Sequence, residues 1–199
     1  MDITLELPAH AGAIEALLDS AFGPKRNSKT VYRLRAGVDP VPALSFVALD
    51  ADAAGHSAEN PKLVGTLRFW PVTLGPAKVP SLLLGPIAVA EECRSAGLGA
   101  RMIRQALEKA RELGHGSVIL VGDAPYYQRF GFTRELALGL ALPGPVDPAR
   151  FLGLELRPGA LAGITGMVGR GPLAPKRPAV QQNAAPAAFP RRQARRAVR

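Results

Sequence analysis

The stretch "RSAGLGARMIR", residues 94–104, decides the fold because it joins two strongly patterned segments. Before it lies the almost continuously apolar "SLLLGPIAVA" (81–90), which is typical of a central strand covered on both faces. From about Gly97 to Leu113, apolar residues recur at helical spacing along one face. The stretch therefore predicts a turn at Gly97 and Gly99 between a buried strand and an amphipathic helix.

The glycine pair has two interpretations. At the start of a helix the backbone N–H groups lack intrahelical partners and carry a partial positive charge. Glycine lets this backbone approach a phosphate closely, and Arg94 would add a charged donor. A tight turn without any ligand explains a lone Gly-x-Gly equally well. A Walker loop is excluded because no Lys-Ser or Lys-Thr follows, and the dinucleotide fingerprint because its third glycine is missing.

The remaining segments predict a mixed α/β fold of the α+β type. Proline cannot donate to a strand ladder, so Gly85-Pro86 predicts a bulge or a splayed strand within 81–90. Pro71 is expected to break its own strand late. Strands are predicted at 2–8, 44–50, 62–75, 81–90, 117–122 and 133–142, and the segments "FLGLEL" and "GITGMVG" supply one or two more. Helices are predicted at 8–22, 29–35, 97–113 and 123–132.

The basic charge of the chain lies in its C-terminal tail. The formal net charge is +9, and residues 172–199 hold seven basic residues and no acid, which leaves +2 for the preceding 171 residues. From residue 171 onward Pro, Ala, Gln and Arg dominate, so we expect a domain over 1–170 and a disordered tail over 171–199. Nucleic-acid binding by the tail stays open but is disfavoured, since Phe189 is its single stacking aromatic.

Several classes of protein are disfavoured by what the sequence contains. Cys93 is the single cysteine, and the three histidines are far apart, so neither a disulfide nor a metal site is predicted. No apolar stretch approaches the roughly 18 residues of a membrane span. The N-terminus "MDITLELPAH" lacks a basic signal region, so we expect a cytoplasmic location.

Together these motifs carry a family resemblance. Arg-x-x-Gly-x-Gly between a central strand and an amphipathic helix resembles the coenzyme A pyrophosphate motif of the GNAT superfamily of N-acyltransferases. Residues 84–132 resemble the core of a GNAT subgroup that ends in "GD-x-x-YY-x-RFGF", here "GDAPYYQRFGF". The segments "AIEALLDSAFG" (13–23) and "LVGTLRFWPV" (63–72) also fit that subgroup, so the resemblance spans roughly residues 1–170.

The resemblance implies a mixed, mostly antiparallel sheet that is splayed at the central strand and flanked by helices. It also implies acetyl-CoA as cosubstrate and no metal. The pantetheine arm would pair with Ile87, Ala88 and Val89. The pyrophosphate would lie beside Arg94, on the backbone amides of Ser95, Ala96, Gly97, Leu98, Gly99 and Ala100.

The resemblance further implies direct transfer of an acyl group from the thioester to a primary amine in a ternary complex. Tyr127, four residues before Gly131, would then protonate the leaving thiolate. The alternative is that Tyr127 is an aromatic side chain with a packing role alone. Glu91, or its neighbour Glu92, is the candidate for a water-mediated proton relay, and a solvated surface acid pair is the alternative. We expect Tyr126 to pack or to line the substrate side, and Asp123 to cap the short helix.

The sequence leaves open the acceptor amine, which is a small molecule or a protein amine, and the acyl length. It also leaves the oligomeric state open, and a dimer is one possibility. A longer acyl donor is one alternative. A second alternative is a sensor that binds coenzyme A. A third is a protein that binds nucleic acid or ribosomes through its basic tail and also has a coenzyme A-binding domain. An accessory role of the tail would leave acyl transfer intact when the tail is removed.

Overall fold

The structure, a computed structural model, describes residues 1–172. Its strands and helices follow the predicted order through most of the chain. The strands are β1 (Asp2–Leu5), β2 (Phe46–Asp50), β3 (Lys62–Leu74), β4 (Val79–Val89), β5 (Ser117–Val121), β6 (Leu140–Ala141), β7 (Phe151–Glu155) and β8 (Gly166–Arg170). The helices are α1 (Ala11–Phe22), α2 (Thr30–Arg35), α3 (Leu98–Glu112) and α4 (Ala124–Gln128), with a 3-10 turn at Glu91–Ala96 before α3.

The strands form a mixed sheet in which most neighbours are antiparallel. The main order is β1-β2-β3-β4-β5-β7, and β8 pairs with β3 and β6. Only β4–β5 and β6–β8 are parallel pairs among the described strands. A parallel pair needs a crossover connection, and α3 provides it between β4 and β5. The predicted mixed, mostly antiparallel sheet with flanking helices is confirmed.

The central strands β4 and β5 separate after a short paired region. Their register contains only Leu82 opposite Val118 and Leu83 opposite Ile119. Just beyond it, Arg68 of β3 stands opposite both Gly85 and Pro86 of β4, because the register of β3 and β4 shifts there. One extra residue on one strand is a β-bulge, which bends that strand and increases its twist. The bulge and the splayed strand predicted from Gly85-Pro86 are both present.

Helices cover both faces of the sheet. One face packs on α3 through its buried side chains, and the cluster includes Phe46 and Ala48 of β2. Val47, between these two residues, instead packs with Ile14 and Leu18 of α1. Because successive strand residues point to opposite faces, α1 and α3 must lie on opposite sides of the sheet.

Two predictions about strands were wrong. Pro71 does not break β3, which stays paired there with Leu82 of β4. The carbonyl of Pro71 accepts a bond from the Gly171 amide at 3.0 Å, so the missing N–H points toward the end of β8 and not toward β4. The predicted strand 133–142 is reduced to Leu140–Ala141. Residues 135–137 form a 3-10 turn, and before it Thr133 pairs with Gly153 of β7 through an isolated bridge.

The end of the described chain remains attached to the sheet. Gly171, the first residue of the predicted tail, still donates to β3 beyond the last strand. From residue 173 the tail lies outside the described residues. Within residues 1–172, the helices are all too short or too polar to cross a membrane.

Met102 provides a test of the contact between α3 and the sheet. Its side chain is fully buried, and a Cβ on Gly65 of β3 would lie 2.9 Å from its sulfur. We expect Met102→Ala to lower the free energy of unfolding by about 2–5 kcal/mol, because it leaves a cavity at this contact. Gln105→Ala on the exposed face of α3 is the control and should stay within about 0.5 kcal/mol. Denaturant unfolding measures both, and equal small effects would contradict this packing.

Candidate functional site

The opening between β4 and β5 forms one side of a cavity of about 680 Å³. Residues 84–87 of β4 and 121–123 at the end of β5 line its two strand walls. The opposite wall consists of α2 and the loop before β7, which are bound together by the Thr30 hydroxyl donating to the Pro145 carbonyl at 2.8 Å. A cavity of this volume has the size of a small-molecule site.

Tyr127 of α4 lines the cavity at the end of β5. Its ring lies directly against Gly122, where a Cβ would come 2.7 Å from the tyrosine Cδ2. The ring also meets Phe132 edge-on, with 5.9 Å between the ring centroids. Burial, with the neighbouring Tyr126, raises the pKa of Tyr127 to about 12. The hydroxyl therefore keeps its proton at neutral pH and is available as a donor.

Tyr126 connects the cavity to the start of α3. It lines the same cavity, and its hydroxyl lies 3.3 Å from the position that a Cβ would take on Gly99. The absence of a side chain on Gly99 therefore makes room for this tyrosine. The sequence predicted that Tyr126 packs or lines the substrate side, and the structure places it in the cavity wall. Its approach to Gly99 was not predicted, because the two residues are far apart in the sequence.

The glycine turn, residues 94–100, presents backbone amides at the start of α3. Gly97 precedes α3 with φ of 70° and ψ of 9°, a left-handed conformation that favours glycine. Its carbonyl accepts the first helical bond from Arg101, so the amides of Leu98, Gly99 and Ala100 precede the hydrogen-bonded part of the helix. No heavy atom lies within 4 Å of a Cβ placed on Gly97, so the space beside it is open.

The free edge of β4 leads from the cavity to this turn. Ile87, Ala88 and Val89 pair with β3 on one side, and β5 no longer pairs with them on the other. Arg94 is exposed at the end of this edge, and its Nε donates to the Val89 carbonyl at 3.3 Å. The free edge of β4 thus joins the cavity, which Ile87 and Tyr127 line, to the glycine turn, and we call these three parts together the groove.

Asp123 and Glu91 differ in their position relative to the cavity. Asp123 occupies the N-cap position of α4, yet its side chain makes no capping hydrogen bond. The predicted capping role was therefore wrong: the backbone carbonyl of Asp123 accepts from the Tyr126 and Tyr127 amides, and the residue lines the cavity. Glu91 is exposed at the first position of the 3-10 turn and is not part of the cavity wall. Its catalytic role stays a prediction.

Comparison with known proteins identifies the family. The model of the acetyltransferase (GNAT) family matches residues 13–132, more than half of the chain. The chain belongs to the GNAT family. The uncharacterized N-acetyltransferase YhbS of Escherichia coli is 30% identical over 168 residues, which cover 84% of this chain and 95% of YhbS.

Solved GNAT structures show the same architecture. The crystal structure of Escherichia coli YhbS in complex with CoA has a TM-score of 0.70 and 29% identity, and the match covers 85% of this chain and 88% of that one. A GNAT acetyltransferase from Brucella melitensis in complex with acetyl-CoA has a TM-score of 0.56 and 27% identity, with coverage of 87% and 94%. The chain thus has the fold that carries N-acetyltransferase activity in this family.

Other side chains lie near the GNAT groove or in its walls without a sequence signal. Arg35 and Tyr32 of α2 line the cavity, although the sequence predicts only a weak helix for this segment. Cys93 is buried, and burial raises the pKa of its thiol, which favours the protonated form over the reactive thiolate. Within residues 1–172 no cluster of three metal-binding side chains exists.

Gly122 provides a test of how the GNAT groove positions Tyr127. Gly122→Ala would place a Cβ inside the contact distance of the tyrosine ring, so the ring must move away from β5. We expect acetyl transfer to fall at least tenfold while the protein stays folded. Gly12→Ala in α1, where a Cβ meets nothing within 4 Å, is the control and should keep full activity. Steady-state kinetics with thermal melts measure both, and an active Gly122→Ala variant would contradict the importance of this contact.

Proposed function

We propose that this GNAT protein transfers the acetyl group of acetyl-CoA directly to a primary amine in a ternary complex. The single observation that carries the proposal is that the free edge of β4 joins the cavity lined by Tyr127 to the glycine turn. The complexes of YhbS with CoA and of the Brucella protein with acetyl-CoA support the choice of cosubstrate. We assign the activity to the domain of residues 1–170 and regard the tail, 171–199, as accessory.

Acetyl-CoA would bind along the groove from the turn to the cavity. Its pantetheine arm would pair with the free backbone of Ile87, Ala88 and Val89 as an added strand. Its pyrophosphate would accept bonds from the amides of residues 95–100, at the positive end of α3. Arg94 would exchange its long bond to Val89 for a phosphate oxygen.

The reaction then needs a neutral amine and a stabilised leaving group. The amine nitrogen attacks the thioester carbonyl carbon, the C–N bond forms, the C–S bond breaks, and the sulfur leaves with the electron pair. A thiol has a pKa near 8.5, so full proton transfer from Tyr127 at about 12 would be uphill by roughly 5 kcal/mol. Tyr127 would therefore act mainly as a hydrogen-bond donor to the sulfur as its charge develops.

The proton that the amine releases would finally neutralise the thiolate of coenzyme A. Glu91 is the candidate relay from sequence, and because it stands outside the cavity wall, water must connect it to the amine. Asp123 is the carboxylate that lines the cavity beside Tyr127. Comparison of Glu91→Gln with Asp123→Asn in pH–rate profiles would assign the base.

Gly97 provides a test of the pyrophosphate site by charge alone. Asn and Asp both tolerate the left-handed backbone of Gly97, and they differ by one negative charge. We expect Gly97→Asp to weaken acetyl-CoA binding at least tenfold more than Gly97→Asn, because the carboxylate would face the pyrophosphate. Isothermal titration calorimetry with acetyl-CoA measures both. An equal loss in the two variants would place the pyrophosphate elsewhere.

Tyr127→Phe provides a test of the donor. The change removes the hydroxyl and keeps the ring that packs on Gly122 and Phe132. We expect turnover to fall about 10²-fold or more. The dissociation constant of acetyl-CoA and the melting temperature should stay close to those of the native protein. Unchanged turnover would show that another group, or water, stabilises the thiolate.

A further inference from the structure

Arg35 at the end of α2 is a buried arginine without a charged partner. The residue is 8% exposed, and its Nε is buried without a hydrogen-bond acceptor. Among residues 1–172, no carboxylate lies within 4.0 Å of its guanidinium, and residues 173–199 contain no Asp or Glu. Burial lowers the pKa of Arg35 to about 10, so the side chain still carries its charge at neutral pH.

Two neighbouring arginines, unlike Arg35, pair with carboxylates. Arg26 pairs with Glu15 and Asp19. Arg68 binds both oxygens of Glu6, at 2.6 and 2.7 Å. Within residues 1–172, carboxylates thus pair with the buried Arg26 and the partly buried Arg68, but none pairs with Arg35. An unpaired buried charge is costly, so binding of a ligand that brings an anion would be favoured here.

Arg35 lies where a substrate would reach it. It lines the large cavity and also an adjoining cavity of about 380 Å³. Its Nη2 is 3.2 Å from the position that a Cβ would take on Gly85, so the guanidinium lies at the bulge of β4. The guanidinium carbon lies 4.7 Å from the ring centroid of Tyr32 and 5.7 Å from that of Trp70. The indole N–H of Trp70 is likewise buried without an acceptor, which adds a second unused donor to the same region.

The charges at the β4 side and the β5 side of the cavity complement a zwitterion. Arg35 lies at Gly85 on the β4 side, whereas Asp123 and Tyr127 lie on the β5 side of the same cavity. Asp147 also lines the cavity, but its carboxylate is engaged by the Ala149 amide at 3.0 Å. The remaining charged residues of the wall are Arg26, Lys29 and Arg150, so its basic residues outnumber its acids.

We propose that Arg35 binds a carboxylate of the acceptor, and that the acceptor is therefore a small primary amine that also carries a carboxylate, as a free amino acid does. The planar guanidinium matches a carboxylate in a two-bond pair. Holding the carboxylate at β4 would present the amine toward Asp123 and Tyr127 at β5. This inference rests on the proposed acetyl transfer, and it adds the chemical class of the acceptor.

Matched substrates test the proposal on the native protein. The panel consists of α-, β-, γ- and ε-amino acids, each paired with its own carboxamide, and acetyl-CoA is the donor. Release of free thiol gives the rates, and mass spectrometry confirms the N-acetyl product. We expect at least one acid to exceed its carboxamide in kcat/KM by tenfold or more. Equal rates within every reactive pair would overturn the proposal, as would the absence of transfer to any acid in the panel.

Variants of Arg35 connect this preference to the residue. Arg35→Gln should raise KM for the preferred acid at least tenfold, remove the preference over the carboxamide, and leave the dissociation constant of acetyl-CoA unchanged. Arg35→Lys should restore part of the preference. Arg111→Gln, an exposed arginine at the end of α3, is the control for loss of one positive charge. A preference that survives Arg35→Gln in a protein that still binds acetyl-CoA would overturn the assignment.

A direct binding measurement separates this inference from the proposed function. Trp70 is the only tryptophan of the chain, so its fluorescence reports on the region beside Arg35. We expect the preferred acid to change this emission in the native protein and not in Arg35→Gln. If acetyl-CoA itself fails to bind in calorimetry, the proposed function falls. If acetyl-CoA binds and no acid of the panel reacts or changes the emission, only the acceptor assignment falls.

Discussion

The candidate site depends on the early end of pairing between β4 and β5. The bulge at Gly85 and Pro86 stands opposite Arg68, and it bends β4 just where its bonds to β5 stop. The gap between the two strands becomes the cavity, and the released edge of β4 points toward the glycine turn. Without this divergence, β4 and β5 would form a closed sheet with neither a free strand edge nor a cavity.

Close backbone approaches then place the functional side chains. Gly122 lets the ring of Tyr127 lie on the end of β5, and Gly99 makes room for the hydroxyl of Tyr126. Both tyrosines belong to α4, so one short helix reaches the cavity and the start of α3 together. Side chains at either glycine would separate these parts, which explains physically why this site uses glycine at positions where the backbone φ alone does not require it.

The wall opposite the strands is held by polar interactions that distinguish structural from available charges. Arg26 is paired with carboxylates of α1, and Thr30 binds the loop before β7 across 115 residues of sequence. These contacts fasten α2 over the cavity. Arg35, on the same helix, shares the burial but not the pairing, and so its charge is free to act on a ligand.

The sequence by itself determined the local features of this protein. The period of the apolar residues specifies α3, and the inability of proline to donate predicts the bulge. The pattern of Arg94, Gly97 and Gly99, with the family resemblance, points to the anion site and Tyr127. The strand-like composition of 133–142 was misleading, because a pattern of apolar residues does not tell whether a partner strand is free. Only the tertiary structure decided that Asp123 lines the cavity, that Tyr126 reaches Gly99 and that Arg35 has no carboxylate partner among residues 1–172. Each of these facts depends on contacts between residues distant in sequence.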